Sequence, residues 1–319
     1  MMENKEFPPM KEITHEEYLK YTKTHKDIQI QERIGEPPKP IAIGAVHKIS
    51  ALQPKNFSLE PFTTWSFPDR GEWATHRGNY RGNWAPQIPR NLILRYTKPG
   101  EMVLDQMCGS GTTLVEARLT GRNAIGVDIR EEAIMLTRDR LSFTLPRTLD
   151  DSLPRTKQRT FVGDARNLDK IDDCSIDLIA THPPYANIIP YSKAVPGDLS
   201  MVHSIDEFVG HMRLVARESF RVLKPDGYCG ILIGDTRRHR HYVPIAYRTL
   251  GAFLSEGFVL REDIIKHQWQ CKSTPYWVKK SLQWNFLMIM HEHLFVFRKP
   301  AEGEDTKKLR DSMAWQGVG

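Results

Sequence analysis

The chain has 319 residues, of which 40% are hydrophobic and 26% charged, and its net charge is +6. This length is enough to bury a full core, and one α/β domain with extensions accounts for it. The longest apolar run near the C-terminus, Phe286–Met290, is far too short to cross a bilayer, and the N-terminus has no apolar signal core. We therefore expect no membrane association, and the basic charge favours an acidic partner.

The cysteines are few and widely spaced, at Cys108, Cys174, Cys229 and Cys271. The absence of a C-x-x-C pair argues against a zinc site or a disulfide framework. We expect no metal and a reducing, cytoplasmic location.

Residues 1–64 are charged and punctuated by prolines, and they predict a partly irregular N-terminal extension. A short helix is expected near His15–Thr24. Residues 65–300 are expected to form the main domain, and residues 301–319 a polar, frayed tail.

The stretch Phe67–Trp84 mixes basic and aromatic side chains: Arg70, His76, Arg77 and Arg81 alternate with Trp73, Tyr80 and Trp84. Such a mixture can hold phosphates and stack bases. A surface loop that its aromatic residues pin to the core is an equal alternative. A helix is predicted to begin after Pro89.

Val103–Ala117 predicts a strand, a glycine turn and the start of a helix. Asp105 ends the strand, Gly109, Ser110 and Gly111 form the turn, and Thr112 opens the helix. Glycines let the backbone approach a ligand closely, and a helix N-terminus offers N–H groups and partial positive charge. The pattern predicts a cradle for a small charged cofactor at the carboxyl end of a strand.

The dinucleotide fingerprint G-x-G-x-x-G fits this cradle only in part, since Leu114 replaces the third glycine. A second strand ends at Asp128, where a carboxylate could bind a ribose diol. The cradle by itself is compatible with a nicotinamide cofactor or with another nucleoside cofactor.

Further elements follow in chain order. Glu131–Phe143 predicts an amphipathic helix, Thr144–Gln158 a charged linker, and Thr160–Leu168 contains a third strand that ends at Asp164. Asp177–His182 predicts a buried fourth strand, which leads into Pro183, Pro184 and Tyr185. The prolines fix two φ angles and remove two backbone donors, so the loop offers rigid carbonyl acceptors beside a flat ring. An X-Pro-Pro-Tyr turn without chemistry is the alternative.

The C-terminal half predicts alternating helices and strands. Ser204–Gly227 is expected to be a helix with a capping box at Ser204 and Glu207 that closes after Pro225. A buried strand follows, and then the basic loop Thr236–Tyr242, whose Arg237, Arg238 and Arg240 suit phosphate contacts. After another helix and strand, His267–Asn285 is expected to be a second aromatic-basic loop carrying Lys272 and Lys279. His291–Lys299 is the last predicted strand.

The glycine turn Met107–Thr112 and the loop His182–Tyr185 together resemble the amino-methyltransferases that make N6-methyladenine or N4-methylcytosine in DNA. Their motifs are written F-x-G-x-G-T and Asp, Asn or Ser followed by Pro-Pro-Tyr. Gly82–Ile93 resembles the family's motif before the first strand. The resemblance covers roughly Trp84–Lys299.

The resemblance implies an α/β, Rossmann-like class I methyltransferase fold. This has a seven-stranded, mostly parallel sheet with an antiparallel last strand and helices on both faces. It implies S-adenosylmethionine as cofactor and DNA as substrate. It assigns catalysis to His182, Pro183, Pro184 and Tyr185. It assigns cofactor binding to Asp105, Gly109, Ser110, Gly111, Thr112, Asp128, Ile129, Asp164, Ala165, Pro86 and Asn91. The expected nucleic-acid-binding residues are Arg77, Arg81, Arg237, Arg238, Arg240, Lys272 and Lys279.

In the resembled mechanism the Pro183 carbonyl and the first motif side chain accept hydrogen bonds from the amine N–H groups. Tyr185 stacks on the flipped base. This sequence has His182 at the first position. A neutral imidazole offers one acceptor nitrogen. The alternatives are that His182 acts as a general base, or that it only shapes the loop while the carbonyl suffices. The lack of charge favours N4 of cytosine slightly over N6 of adenine.

Other functions stay open at this stage. An RNA amino-methyltransferase would use the same motifs, and a binding module could keep the fold without catalysis. A nicotinamide oxidoreductase is a more distant alternative. Because only about twenty residues follow the last strand, recognition would need the N-terminal segment, the loops after Tyr185 and Asp235, residues His267–Asn285, a homodimer or a partner specificity protein. A role in restriction–modification is one option among several.

Overall fold

The computed structural model describes residues 7–30, 37–145, 153–184, 197–269 and 274–314. Its main sheet is built from strands β1 (Lys11–Glu12), β4 (Thr64–Trp65), β5 (Met102–Asp105), β6 (Asn123–Asp128), β7 (Gln158–Val162), β8 (Ile176–Thr181), β9 (Leu223–Ile233), β12 (Val259–His267) and β13 (His291–Arg298). Two hairpins lie outside this sheet, β2 (Asp27–Ile30) with β3 (Lys39–Ala42) and β10 (Thr236–Arg238) with β11 (His241–Val243).

The helices are α1 (His15–Thr24), α2 (Gln87–Tyr96), α3 (Thr112–Leu119), α4 (Glu131–Leu141), α5 (Ile205–Val222), α6 (Ile245–Ser255) and α7 (Thr274–Trp284). Two 3₁₀ turns cover Leu199–Met201 and Thr306–Ser312. Within the described residues, no helix has both the length and the apolar content needed to cross a bilayer.

The predicted fold class is confirmed by the order of the main sheet, β1-β7-β6-β5-β8-β9-β13-β12-β4. Strands β5 to β9 run parallel to one another, and β13 runs antiparallel between β9 and β12. At the edge of the sheet, β1 is antiparallel to β7. The predicted count of seven strands was too low, because β1 and β4 extend the two edges of the sheet. Each of these edge strands has only two residues, too few to show the alternation by which strands are recognised.

Helices cover both faces of the sheet, and each face has its own apolar cluster. Residues of α2, α3 and α4 pack on one face and residues of α5 and α6 on the other. Neighbouring residues of β5 divide between the two, with Val103 in the first cluster and Leu104 in the second. This is the expected result of side chains alternating along a strand that is buried on both faces.

The N-terminal segment is part of this core. The α1 bounds match the prediction, and Thr14 and Glu17 form a capping box at its start. Tyr18 is buried and donates a 2.6 Å hydrogen bond to Asp139 of α4. Ile13 and Ile28 are buried as well. The division at residues 64 and 300 stays a proposal.

Several predicted boundaries are wrong. Helix α2 begins at Gln87 and not after Pro89, which sits in the first turn, where a proline removes no helical hydrogen bond. The third strand ends at Val162, two residues before Asp164. Helix α5 ends at Val222, and Pro225 and Gly227 belong to β9.

The segment predicted as a second aromatic-basic loop contains α7, since Thr274–Trp284 is helical. The tail predicted to be frayed is anchored near its start by the ion pair Arg298–Glu304 at 2.7 Å. Neither feature has a strong signal in the sequence, because α7 buries no residue and the tail is polar.

Candidate active site

A cavity of about 240 Å³ opens where the parallel strands end. The residues after β5, β6, β7 and β8 line it, as expected for an open α/β sheet. Residues 80–84, residues 197–199, Gln268 and the start of β13 complete the wall. The cavity therefore joins segments that are far apart in the chain.

The glycine turn lies on one side of this cavity. Gly109 donates its backbone N–H to Asp128 Oδ2 at 2.9 Å. Gly111 has φ +81°, and a Cβ added there would lie 2.7 Å from the Thr137 side chain. Only glycine fits these conditions without strain, so the turn keeps its backbone close to α4 and open toward the cavity.

Thr112 begins α3 and lines the cavity. Its Oγ1 is buried, and the described residues supply no hydrogen bond to it. A buried hydroxyl without a partner loses free energy, so a polar ligand group at this position would satisfy it. The helix N-terminus beside it favours a negative group such as a carboxylate.

Two buried carboxylates lie at the ends of adjacent strands. Asp105 accepts hydrogen bonds from Thr113 (2.5 Å) and Thr181 (2.9 Å), yet burial raises its pKa to about 6. Burial also raises the pKa of Asp128 to about 7, against the hydrogen bonds from the Arg130 and Gly109 backbones. Both acids are poised to bind donors or positive charge that would restore the ionised form.

Asp164 and Ala165 line the cavity next to Gly163. The Asp164 carboxylate also accepts two hydrogen bonds from the Arg166 side chain, at 2.8 and 2.5 Å, and one from the Arg166 backbone. Asp164 therefore caps the turn that follows β7 and also lies in the cavity wall.

Arg130 is a wall residue that sequence reasoning missed. Its guanidinium donates to the Tyr80 hydroxyl and lies over the Tyr80 ring, 5.4 Å from the centroid. Ile129 lines the cavity between Asp128 and Arg130. A short D-I-R sequence after a strand is the only local signal for this group.

Four predicted cofactor residues are not in the cavity wall. Asn91 is fully buried, accepts from the Glu60 N–H at 2.8 Å and donates to the Gln87 carbonyl at 2.9 Å. Pro86 is the N-cap of α2, and Gly111 is the N-cap of α3. Ser110 is buried between Arg140 and Asn83, so these residues support the site and do not line it.

The proline loop lies on the other side of the same cavity, with His182, Pro183 and Pro184 in its wall. Tyr185 falls outside the described residues. The His182 ring stacks on Trp84 with centroids 5.9 Å apart and an angle of 23°. Burial lowers the pKa of His182, so the imidazole is neutral at pH 7.

Glu292, the second residue of β13, is a buried wall residue that the sequence analysis did not name. Its Oε1 lies 3.9 Å from His182 Nε2, and its Oε2 lies 2.8 Å from Lys266 Nζ. The strand alternation around His291 and His293 is visible in the sequence. The proximity of Glu292 to His182, in contrast, depends on the order of the strands in the sheet.

The basic-aromatic stretch before α2 is largely pinned to the core. Glu116 of α3 is fully buried and accepts hydrogen bonds from Trp73 (2.7 Å), His76 (2.6 Å) and Arg90 (2.8 Å). For Trp73 and His76, the alternative of a loop anchored by its aromatic residues is therefore correct. Arg77 is exposed, and Arg81 lines the cavity.

The predicted basic loop after β9 is the hairpin of β10 and β11. The Arg237 side chain is engaged in hydrogen bonds within the protein, since it donates to the Leu287 and Arg240 carbonyls, both at 3.0 Å. Arg238 is exposed and donates to the His203 carbonyl at 2.7 Å. Arg240 lies 5.3 Å from the Trp284 ring.

Helix α7 stands at the same end of the molecule and buries none of its residues. Tyr276, Lys280 and Trp284 share one face at four-residue spacing, with Lys280 Nζ 4.7 Å from the Trp284 ring and 5.9 Å from the Tyr276 ring. We call these three residues the α7 stripe. Lys279 is exposed on the same helix, and Lys272 lies outside the described residues.

Comparison with known proteins places the chain in a family. The model of the DNA methylase family, which comprises N6 and N4 methyltransferases, matches residues 4–139 and 176–314. The match covers both sides of the cavity.

Curated relatives align over shorter stretches. A tRNA (guanine(10)-N2)-dimethyltransferase of Methanothermobacter thermautotrophicus is 33% identical over 107 residues, 33% of this chain and 29% of that protein. The DNA adenine methyltransferase YhdJ of Escherichia coli is 28% identical over 127 residues, 40% of this chain and 42% of that protein. The chain thus spans less than half the length of each.

Among solved structures, an S-adenosylmethionine-dependent methyltransferase of Methanosarcina mazei aligns with a TM-score of 0.43 and 15% identity, over 65% of this chain and 96% of that one. The family match and the sheet order agree on the fold, and S-adenosylmethionine is the cofactor. The protein belongs to the N6/N4 DNA methylase family.

Proposed function

We propose that this enzyme methylates an exocyclic amine of a base in DNA at specific sites. The observation that carries the proposal is that the glycine turn and the proline loop line one cavity. A donor held at the first and an amine held at the second would meet inside it. Positioning of this kind supplies a large part of the rate gain in such transfers.

The residues on the cofactor side fit S-adenosylmethionine. The Asp128 carboxylate suits the ribose hydroxyls, and the unpartnered Thr112 hydroxyl at the α3 N-terminus suits the carboxylate. Ile129 and Ala165 would flank the adenine, with Asp164 near its amine. When bound, the cofactor supplies an electrophilic methyl group on a positively charged sulfur.

The residues on the other side would hold the target. The neutral His182 and the Pro183 carbonyl are the proposed acceptors of hydrogen bonds from the amine N–H groups. The stacking of Trp84 on His182 would fix the plane of the imidazole ring. The stacking role of Tyr185 stays a prediction. Tyr185→Ala should abolish methyl transfer while S-adenosylmethionine still binds, and full activity would remove that role.

We favour N4 of cytosine as the target amine. The support is the pKa of His182, which burial lowers, so that the acceptor carries no charge at neutral pH. A duplex substrate would require the base to be flipped out of the stack.

The DNA-facing surface is proposed to consist of exposed basic and aromatic groups around the cavity mouth. Arg77, Arg81, Arg238 and Lys279 would contact phosphates, as would Lys272. The α7 stripe, together with Arg240, would stack on unpaired bases or flank the backbone. Arg237 is assigned to holding the hairpin against residues 286–287.

The test is to incubate the protein with S-adenosylmethionine carrying a labelled methyl group and with DNA, rRNA or tRNA, and then to analyse the nucleosides. We expect label in N4-methylcytosine of DNA at recurring sequence contexts. Label in N6-methyladenine would correct the base. Label in tRNA alone would favour the RNA alternative, which the alignment with a tRNA methyltransferase also raises. A homodimer or a separate specificity protein would be the partner if the single chain methylates DNA only weakly.

A further inference from the structure

Glu292 occupies a position that only the folded sheet reveals. Strand β13 runs antiparallel to its neighbours, so its first residues lie at the edge where the parallel strands end. Glu292 pairs directly with Lys266 across the β12–β13 ladder. Its side chain is 7% exposed and shares the cavity wall with His182.

A buried carboxylate is stable only with compensating contacts, and Lys266 supplies one to Glu292. Lys266 Nζ lies 2.8 Å from Oε2 and is itself largely buried. This ion pair favours the charged form of the carboxylate. The other oxygen, Oε1, lies 3.9 Å from His182 Nε2.

The His182 ring is fixed from several directions. Trp84 stacks on one face, and the backbone of Gly82 is a hydrogen-bond partner that favours the protonated ring. The charged groups that act on the ring are Glu292 from β13 and Lys266 from β12. Asp105 from β5 and Arg81 from the loop before α2 lie in the same cavity wall. Of these, Glu292 is the carboxylate in ion-pair range of the ring.

We propose that Glu292 is a positioning residue that fixes His182 and stabilises its protonated form, so that His182 takes the proton released by the target amine. The inference rests on the proposed function. The amine nitrogen gains the methyl group while the C–S bonding pair stays on sulfur, and one amine proton leaves for His182. The imidazolium then has the Glu292 carboxylate and the Gly82 backbone beside it.

This role would account for a histidine at the position where the family motif has Asp, Asn or Ser. Burial makes an imidazole a weaker base, and a carboxylate at 3.9 Å offsets part of that loss.

The first experiment measures the coupling without substrate. NMR titration of labelled imidazole groups follows His182 in the whole protein, and the His182→Asn variant identifies its signal. Glu292→Gln should lower the pKa of His182 by about one unit or more, the range expected for a charge at this distance. Glu262→Gln, the same change on β12 at a side chain outside the cavity wall, should leave it unchanged. An unchanged pKa in Glu292→Gln would overturn the inference.

The second experiment measures methyl transfer in two backgrounds. Glu292→Gln should lower kcat about tenfold or more when His182 is present, and less than about twofold when His182 is replaced by Asn. Glu292→Asp, which keeps the charge, should recover part of the rate. Equal losses in both backgrounds would show a general structural role and would contradict the inference. Affinity for S-adenosylmethionine and the melting temperature check that each variant is folded.

A failure of the proposed function and a failure of the inference about Glu292 would give different results. If the wild-type protein transfers no methyl group to any nucleic acid, the proposed function fails, while the titration still reports whether Glu292 acts on His182. If transfer occurs and the titration shows no coupling, the function stands and the role of Glu292 falls.

Discussion

The two sides of the cavity are built in different ways. The cofactor side consists of consecutive strand ends, with Asp105, Gly109 and Asp128 placed by local turns and backbone hydrogen bonds. The proposed target side consists of side chains from segments far apart in the chain, among them Trp84, His182 and Glu292. The first depends on local geometry and the second on how the sheet is assembled. Changes on the two sides should therefore separate cofactor binding from catalysis.

This difference explains what could be predicted from the sequence. The glycine turn could be predicted from the spacing of its glycines and from an acid at the end of a strand, which are short-range signals. The fold class could be predicted from the same motif. Glu292 and Lys266 could not be found in this way, because they meet His182 only through the antiparallel placement of β13 between β9 and β12. Asn91 shows the converse, since its motif position is local but its side-chain amide is hydrogen-bonded to the backbone of residue 60 and does not line the cavity.

Helix α7 illustrates a second limit. Its stripe of Tyr276, Lys280 and Trp284 has helical spacing, yet flanking loop residues and the lack of a buried face led to a loop prediction. A helix that buries none of its residues lacks the apolar periodicity on which the prediction depends.

The largest effect should come from the target side. His182→Ala should lower kcat by about 10²- to 10⁴-fold, the range for loss of a proton acceptor, with affinity for S-adenosylmethionine near normal. Steady-state kinetics with calorimetry would measure both. His15→Ala, at an exposed histidine of α1, is the matched control. A His182→Ala variant that binds S-adenosylmethionine weakly but keeps a normal kcat would contradict the assignment of His182 to the target side.

The next effect belongs to the cofactor side. Asp128→Ala should raise the Kd for S-adenosylmethionine by about 10- to 100-fold, because hydrogen bonds to a charged group contribute roughly 1.5–3 kcal/mol. At saturating cofactor, kcat should fall much less. Calorimetry is the readout, with Asp172→Ala at an exposed position as control. Unchanged affinity would show that this carboxylate does not bind the cofactor.

A smaller effect is expected outside the cavity. Trp284→Ala removes a ring of the α7 stripe and should weaken DNA binding about tenfold, within the range for loss of one stacking contact. Leu282→Ala, on the same helix and 81% exposed, should have little effect. Fluorescence anisotropy with labelled DNA measures both. Equal losses would show that helix stability, and not the stripe, is responsible.

The smallest effect is a pH dependence of cofactor binding. Burial raises the pKa of Asp128 to about 7, and the ionised form is the better acceptor for hydroxyl groups. Affinity for S-adenosylmethionine should therefore rise as pH increases, by about tenfold between pH 6 and 8 and about twofold from pH 7 upward. Calorimetry at several pH values would show this, and Asp128→Asn should flatten the curve. Affinity that falls with rising pH would contradict the assignment.

The most direct test is a structure of the protein with S-adenosylmethionine bound. We expect the ribose at Asp128, the carboxylate at Thr112 and the α3 N-terminus, and the sulfonium methyl group directed at the space beside His182 and Pro183. A donor bound elsewhere, or one whose methyl group points away from the proline loop, would contradict the claim that the two motifs form one active site.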